Sequence, residues 1–291
     1  MLRILDTLNG PDPANEKPAA KALDLAHFHP HESCNAPLGC HSVSRVKPMP
    51  QAPNSTPCAD LSPTRRWGLY TWALLMGLLA WDFAGLDLPA MHLLADARGF
   101  DLRQSTAMET VWHTGARRLA IGIYLGLLAM VWWPRGPFRR LSRLQRVEIV
   151  VGTALGLILI SSLKSISLTS CPWDLQDFGG VARYVSHWQW GVTDGGGGRC
   201  FPGGHASSAL AFLALSLPWL TSGDKAQQQT GRRVLAFVVL AGLLLGLSQT
   251  LRGAHYPSHT FWTGFICWVV AWANHMAFGW LAHRRRRKTS P

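Results

Sequence analysis

The sequence predicts an all-α protein whose main part is a bundle of six membrane-spanning helices. Hydrophobic residues make up 48% of the 291-residue chain and charged residues only 15%, whereas a soluble domain usually carries about 25% charged residues. Six apolar stretches are long enough to cross the roughly 30 Å of hydrocarbon in a bilayer. A long polar segment without a sustained apolar period precedes them.

The apolar stretches define the predicted spans. They lie near residues 67–86, 115–133, 147–163, 206–220, 233–250 and 261–281. The third and fourth spans are short, and each runs directly into a polar cluster. Glycine-containing, charge-free runs such as Val150–Ser161 and Val234–Leu247 are typical of membrane helices. They argue against a water-soluble protein with buried helices.

The polar segment, residues 1–64, is rich in Pro, Asn, Ser and His and predicts a disordered tail. It lacks the apolar core of a secretion signal, so we expect no cleavage there. Cys34, Cys40 and Cys58 lie in this tail, and we expect them to stay reduced in the cytoplasm. Their spacing from the nearby histidines fits no standard metal site.

Basic residues next to the spans account for much of the net charge of +12. Anionic lipid headgroups attract such residues, so we expect anionic membrane lipids as partners and no binding to nucleic acid. Four basic groups fall on one side of a six-span topology, and the positive-inside rule makes that side cytoplasmic. They are Arg65–Arg66, Arg135–Arg146, Lys225–Arg233 and Arg284–Lys288. Both termini are therefore predicted to be cytoplasmic. Arg117 and Arg118 break the pattern, either as a local exception or as extra cations for an anionic substrate.

Three polar clusters lie at span ends on the opposite, non-cytoplasmic side. We name them motif one (Lys164–Pro172), motif two (Pro202–His205) and motif three (Arg252–His259). Ionisable groups cost several kcal/mol at the centre of a membrane and usually mark function there. Cations and imidazoles from three loops on one face therefore predict a shared site, and a phosphate ester needs these groups for binding and displacement.

The residue types assign chemical roles. Lys164 and Arg252 can neutralise the charge on phosphate oxygens. A motif-three histidine can attack phosphorus and form a phosphohistidine, and His205 can protonate the leaving oxygen because imidazole titrates near neutral pH. Gly203 and Gly204 let the backbone approach an anion at a helix start.

Together the motifs resemble the type 2 phosphatidic acid phosphatase (PAP2) family over about residues 67–281. The family pattern is Lys, six residues and Arg-Pro; then Pro-Ser-Gly-His; then Ser-Arg, five residues, His, three residues and Asp. The motif order, the span-end positions and the six-span layout agree with it. The resemblance implies a six-helix PAP2-type membrane phosphatase domain over residues 65–283, between the disordered cytoplasmic tail (1–64) and a basic cytoplasmic tail (284–291).

Motifs one and two depart from the family pattern. Cys171 stands in the Arg position of motif one, and Gly203 replaces the Ser of motif two. We predict a disulfide between Cys171 and Cys200, because both lie on the non-cytoplasmic side and each adjoins a motif. A bridged Cys171 cannot replace the Arg. Arg199 follows the flexible run Gly195–Gly198, and we hypothesise that it swings in to bind phosphate instead.

Motif three aligns with the pattern in two ways. Matching His-x-Pro-Ser-Asp to His255-Tyr-Pro-Ser-His259 makes His255 the nucleophile and places His259 where the family has Asp. Matching Arg252 to the family Arg makes His259 the nucleophile and places Thr263 at the Asp position. We prefer the first alignment because Tyr-Pro-Ser anchors it, and neither alignment supplies the carboxylate.

We therefore expect an integral membrane lipid phosphatase that hydrolyses a lipid phosphate monoester or pyrophosphate through a phosphohistidine. No cofactor and no metal is expected at its site. We place it in the bacterial inner membrane with the site facing the periplasm. The alternatives are a lipid phosphotransferase and a catalytically silent protein that binds anionic lipid. The segment Asp87–His113 predicts either an amphipathic helix on the membrane face or a plain loop. The choice of lipid phosphate and the oligomeric state stay open.

Overall fold

The structure, a computed structural model, describes residues 63–106 and 108–289. This part of the chain is all-helical and contains no β-strand. The helices are α1 (Pro63–Phe83), α2 (Asp87–His92), α3 (Ala116–Met130), α4 (Arg143–Ile166), α5 (Gly204–Leu210), α6 (Leu217–Leu220), α7 (Lys225–Leu251) and α8 (Pro257–Thr289). The predicted disorder of the N-terminal tail and the state of its three cysteines concern residues that lie outside the described ranges, apart from Pro63 and Thr64.

Local sequence signals explain where two long helices begin. Ser142 precedes α4 and forms a capping box: its side chain accepts a hydrogen bond from the Gln145 amide, and the Gln145 side chain accepts one from the Ser142 amide. Asp224 caps α7 by accepting a hydrogen bond from the Ala226 amide at 2.9 Å. Such caps satisfy amide groups that a helix start leaves without intrahelical partners.

Within the described ranges, three helices are long and apolar enough to cross a membrane: α4, α7 and the Pro257–Arg285 part of α8. A shorter apolar helical run, Gly204–Leu220, combines α5, a 3₁₀ segment and α6. Large apolar side chains point outward from these and neighbouring helices, as in Leu119, Ile158 and Phe237, which are 65%, 61% and 71% exposed. Extended apolar surface of this kind is rare on soluble monomers, so the structure supports a membrane protein.

Helix α8 is the central packing element. It contacts α1, α4, α5 and α7, and the core around it contains the fully buried Ile149, Ile160 and Trp219. Small residues allow the closest approaches: a Cβ atom at Gly246 of α7 would overlap the Thr260 methyl group of α8. Close packing through small residues is typical of membrane helices, and here it brings the end of α7 against the start of α8.

The connections at one end of the bundle are long and ordered by polar contacts. The loop 167–203 contains two 3₁₀ turns, Pro172–Asp174 and Gln176–Phe178. The buried Asp194 carboxylate holds this loop together by accepting hydrogen bonds from the amide and the hydroxyl of Ser170. The segment Asp87–His113 is neither of the predicted forms: it contains the short α2, several turns and the first part of a π-helical stretch, Met108–Gly115.

Candidate active site

Each motif lies at a helix end. Lys164 is in the last turn of α4, motif two runs into the start of α5, and motif three joins the end of α7 to the start of α8. In α4, α7 and α8 the predicted cytoplasmic basic groups occur at the other end of the same helix. The motifs and the basic residues are therefore separated along the length of the bundle, and the motifs share one end.

The three predicted catalytic histidines lie side by side. The ring centroids of His205 and His255 are 6.5 Å apart, and those of His255 and His259 are 5.9 Å apart. Lys164 also reaches this group, because a Cβ atom on Gly204 would lie 3.5 Å from its ammonium nitrogen. A glycine at that position therefore gives the lysine access to the backbone beside His205.

His255 occupies the middle of this arrangement and is only 3% exposed. Burial lowers its pKa well below the usual value near 6.5, and the charges of Lys164, His259 and His205 lower it further. A neutral imidazole at physiological pH keeps a nitrogen lone pair available, which is the state that nucleophilic attack needs.

Cys200 connects the loop 167–203 to both motif-three histidines. It forms the predicted disulfide with Cys171, with the Cα atoms 5.1 Å apart. The Cys200 carbonyl lies 3.1 Å from His259 Nδ1, and the Cys200 sulfur lies 3.5 Å from His255 Nδ1. Because Cys171 is bridged, it supplies no cation at the Arg position of motif one.

Motif two is attached to the first turns of α8. The Gly203 amide donates to the His259 carbonyl at 3.2 Å, and the Thr263 hydroxyl donates to the Gly203 carbonyl at 3.1 Å. The same hydroxyl is 2.7 Å from the His259 carbonyl. Thr263, the residue at the Asp position of the second alignment, therefore positions the backbone of motif two.

The two predicted phosphate-binding arginines are placed differently from Lys164. Arg252 is buried at the end of α7, donates to the Arg103 carbonyl at 3.1 Å, and lies 6.0 Å from the ring centre of Trp173. Arg103, which the sequence analysis did not select, lies 5.2 Å from the same ring. Arg199 is exposed, with its amide bonded to the Ser167 carbonyl at 2.7 Å. Arg252 thus packs against Trp173 in the loop 167–203, and Arg199 faces outward.

Asp87 is a second residue that sequence reasoning missed. Its carboxylate accepts hydrogen bonds from the amide and the hydroxyl of Ser258, in the first turn of α8, and from the Trp81 indole. Burial raises the pKa of Asp87 above its usual range. Since Ser258 lies between the two motif-three histidines, Asp87 fixes the start of α8 from the α1–α2 segment. The sequence did contain a signal for Asp87: it is an acidic residue just beyond the end of the first predicted span, on the side of the membrane where the motifs lie.

Asp82 and His187 lie close together, and the His187 ring contacts the ring of His259. Asp82 Oδ2 is 3.3 Å from His187 Nε2, and both side chains are buried. Asp82, Asp87 and His187 each bring one possible ligand atom within 4.8 Å of the others, a grouping that could hold a metal ion. A second grouping of possible ligands, Cys171, Cys200 and His255, contains the disulfide and is unsuited to a metal.

Comparison with protein-family models matches residues 146–284 to the PAP2 superfamily. The matched region begins near the start of α4 and contains all three motifs and every predicted site residue. A search of curated proteins returns no match, and a search of solved structures returns none either. The family match agrees with the resemblance carried by the motifs and supports a phosphatase-type activity. Residues 146–284 are thus similar to the PAP2 superfamily, and this similarity covers just under half of the chain.

Proposed function

We propose that this protein is a membrane phosphatase that hydrolyses a lipid phosphate monoester or pyrophosphate through a phosphohistidine intermediate. The observation that carries the proposal is the position of His255, neutral and buried, between His205 and His259 and within the field of Lys164. These four side chains come from three separate motifs, and together they supply the attacking nitrogen, a proton donor and a cation.

The chemistry follows from these positions. A lone pair of His255 attacks phosphorus, and the bond from phosphorus to the leaving oxygen breaks. His205 gives a proton to that oxygen, while Lys164 stabilises the charge on the non-bridging oxygens. Water then attacks the phosphohistidine with His205 as the base, which releases phosphate and restores both histidines. Because side chains supply all three roles, we propose that catalysis is independent of a metal.

The choice of His255 over His259 as the nucleophile rests on its neighbours. His255 lies against His205, the proposed proton donor, whereas the ring contacts of His259 are with His187, Phe201, Tyr256 and His255. A nucleophile and an acid must both reach the same phosphoryl group, and His255 is the histidine that meets this condition. The arrangement favours the alignment anchored by Tyr-Pro-Ser.

A lipid substrate is supported by an apolar cavity next to the site. A cavity of about 940 Å³ lies between α3, the α5–α6 run and α7, at the upper end of the usual ligand-site range of about 300–1,000 Å³. Its lining includes Ser208 and Ala209, which lie within the first turn and a half of the helix that carries His205. A chain attached to a phosphate at His205 could extend into this cavity.

The membrane arrangement is also part of the proposal. Six helical segments, α1, α3, α4, α5–α6, α7 and α8, coincide with the six predicted spans, and we propose that all of them lie in the bilayer. The basic groups then face the cytoplasm, and the motif end faces the periplasm of a bacterial inner membrane. A phosphorylated headgroup in the outer leaflet would meet the site directly.

The direct test is phosphate release by the full-length protein in detergent micelles. We expect release from phosphatidate or a polyprenyl pyrophosphate, much slower release from water-soluble p-nitrophenyl phosphate, and no effect of EDTA. His205→Ala should lower the rate by about 10²–10⁴-fold, the usual range for loss of a general acid.

A matched control is His283→Ala, since His283 is an exposed histidine near the far end of α8. It should leave the rate unchanged. Transfer of the phosphoryl group to a lipid acceptor, with little free phosphate, would identify a phosphotransferase instead. Equal rates for wild type and His205→Ala would reject the proposed site.

A further inference from the structure

We propose that Asp82 and His187 form a positioning pair for His259 and supply, from outside the motifs, the carboxylate that motif three lacks. The inference rests on the proposed function, because it concerns how the same site stabilises charge during phosphoryl transfer. Neither residue belongs to a motif, and Asp82 lies outside the region matched to the family.

The Asp82 carboxylate is buried and held by several donors. Its side chain is 3% exposed, and its Oδ2 accepts hydrogen bonds from the indole nitrogens of Trp188 at 2.9 Å and Trp262 at 2.7 Å. His187 Nε2 lies 3.3 Å from the same oxygen, at an ion-pair distance but without hydrogen-bond geometry. A buried carboxylate is costly unless it is paired and hydrogen-bonded. These contacts therefore give the carboxylate one defined position at the motif end of the bundle.

The ring of His187 fills the space between this carboxylate and His259. One face of the ring stacks on Phe201, with centroids 4.2 Å apart and planes inclined by 7°. The ring also meets the His259 ring nearly at right angles, with centroids 5.6 Å apart. Phe201 immediately precedes motif two, so the stacking ties His187 to the backbone that carries His205.

In the preferred first alignment of motif three, His259 occupies the position at which the family pattern has Asp. Its Nδ1 contacts the Cys200 carbonyl, and its Nε2 has no hydrogen-bond partner among the described residues. A series of contacts therefore links the Asp82 carboxylate to the proposed nucleophile. It runs from Asp82 through the rings of His187 and His259 to His255. In this chain, the imidazoles of His259 and His187 and the carboxylate of Asp82 would together do the work of the single carboxylate in the family pattern.

The pair has a role in the transfer step. When His255 bonds to phosphorus and the leaving oxygen departs with a proton from His205, positive charge develops on the His255 ring. A buried negative charge in this low-dielectric region stabilises that charge more than an exposed one would. The carboxylate also keeps the His187 ring oriented against His259, so loss of the charge should reduce turnover more than substrate binding.

A cation site is the competing interpretation of the same groups. Asp82 Oδ2 already accepts two indole N–H groups, and the two oxygens of Asp87 accept from Ser258 and Trp81. A metal ion would have to displace several of these donors or bind chiefly to Asp82 Oδ1, which has no hydrogen-bond partner among the described residues. We therefore infer a positioning role, and metal binding is an outcome that the test can detect.

Two variants remove the polar groups of the Asp82–His187 pair while keeping the shapes of the side chains. Asp82→Asn keeps an oxygen for the indole donors but removes the charge, and His187→Phe keeps the stacking on Phe201 but removes the ring nitrogens. Each should lower kcat by about 10–100-fold, as loss of a supporting partner does at other sites, with little change in KM or in the unfolding temperature. The double variant should be no slower than the slower single one, because both act through one pair. Asp96→Asn, at an exposed aspartate paired with Arg98, is the control and should retain full kcat.

A second measurement does not depend on turnover. In protein labelled with ¹⁵N in the histidine rings, Asp82→Asn should shift the ring signals of both His187 and His259. Full kcat in Asp82→Asn, or an unchanged His259 signal, would overturn the pairing while leaving the proposed function intact. A divalent metal present in the wild type, absent from Asp82→Asn and required for turnover would replace the pair with a metal site. Failure of the proposed function would appear instead as a wild type without turnover, and the ring signals alone would then decide the pairing.

Discussion

Replacing His255 with Asn should lower the rate of phosphate release from a lipid phosphate by about 10⁴-fold or more, with a much smaller change in KM. Asn is close to His in size and polarity but offers no nucleophilic nitrogen, so the covalent step is lost while the pocket is kept. The measurement is steady-state phosphate release by the purified variant, with the folded state checked by its unfolding temperature.

The contrast with His259 makes this prediction specific. His259 is wholly buried and bonded to the Cys200 carbonyl, so we assign it a supporting role. His259→Asn should therefore retain more activity than His255→Asn. The reverse order, an active His255→Asn and an inactive His259→Asn, would establish the second alignment of motif three.

The pH dependence tests the same assignment. Burial and the nearby Lys164 charge keep the pKa of His255 well below its usual value near 6.5. Its lone pair therefore stays free as the pH falls through 6.5, and kcat/KM should fall only at lower pH. Lys164→Met removes one of the charges that lower this pKa, so the acid side of the profile should move to higher pH.

The same pKa shift has a consequence for stability. Below about pH 6.5 the unfolded imidazole of His255 binds a proton that the folded one excludes. The contribution of this group to folding is therefore complete above that pH and decreases as the pH falls toward the lowered pKa. Thermal unfolding measured across this range should show the decrease in wild type and a smaller decrease in His255→Asn.

Removing the Cys171–Cys200 disulfide should be the most destabilising change in the extramembrane part of the protein. The two cysteines are 29 positions apart, and closing a loop of that length stabilises a folded state by about 3–4 kcal/mol in the chain-entropy description. Activity should fall as well, because Cys200 contacts both His255 and His259. We expect a Cys171→Ser/Cys200→Ser variant to unfold at a lower temperature and to release phosphate slowly.

Two comparisons isolate the disulfide. Cys267→Ala removes a cysteine that is free and buried, so it should leave the sensitivity to reductant unchanged. Treatment with a reductant should lower the unfolding temperature of wild type and of Cys267→Ala, but it should not affect the double serine variant. An unchanged unfolding temperature and rate in the double serine variant would show that the loop is held by its other contacts, such as Asp194 with Ser170.

Much of the site could be predicted from the sequence because its residues lie next to clear boundaries between apolar spans and polar loops. Lys164, His205 and His255 stand where apolar runs end, and helix direction then places them at one end of the bundle. The disulfide followed from the same reasoning, since Cys171 and Cys200 adjoin two of these boundaries. Hydropathy and topology are enough for such residues, because no side-chain contact needs to be known.

The residues that the sequence analysis missed depend on tertiary contacts. Asp82 lies in the last turn of α1, and His187 lies in the middle of a 37-residue loop (167–203). Nothing in their local sequence indicates that they pair with each other beside His259. The placement of Arg252 against Trp173 is likewise set by how the loop 167–203 folds back on Gly253. There the Trp173 amide donates to the Gly253 carbonyl at 2.9 Å.

The proposed catalysis depends most on one covalent event, the transfer of the phosphoryl group to His255. The direct measurement is to quench a reaction with labelled lipid phosphate at alkaline pH, digest the protein and identify the phosphorylated peptide by mass spectrometry. The assignment of His255 as the nucleophile predicts acid-labile phosphate on His255 in wild type and its absence in His255→Asn. Phosphate on His259, or no phosphorylated peptide from a protein that turns over substrate, would contradict it.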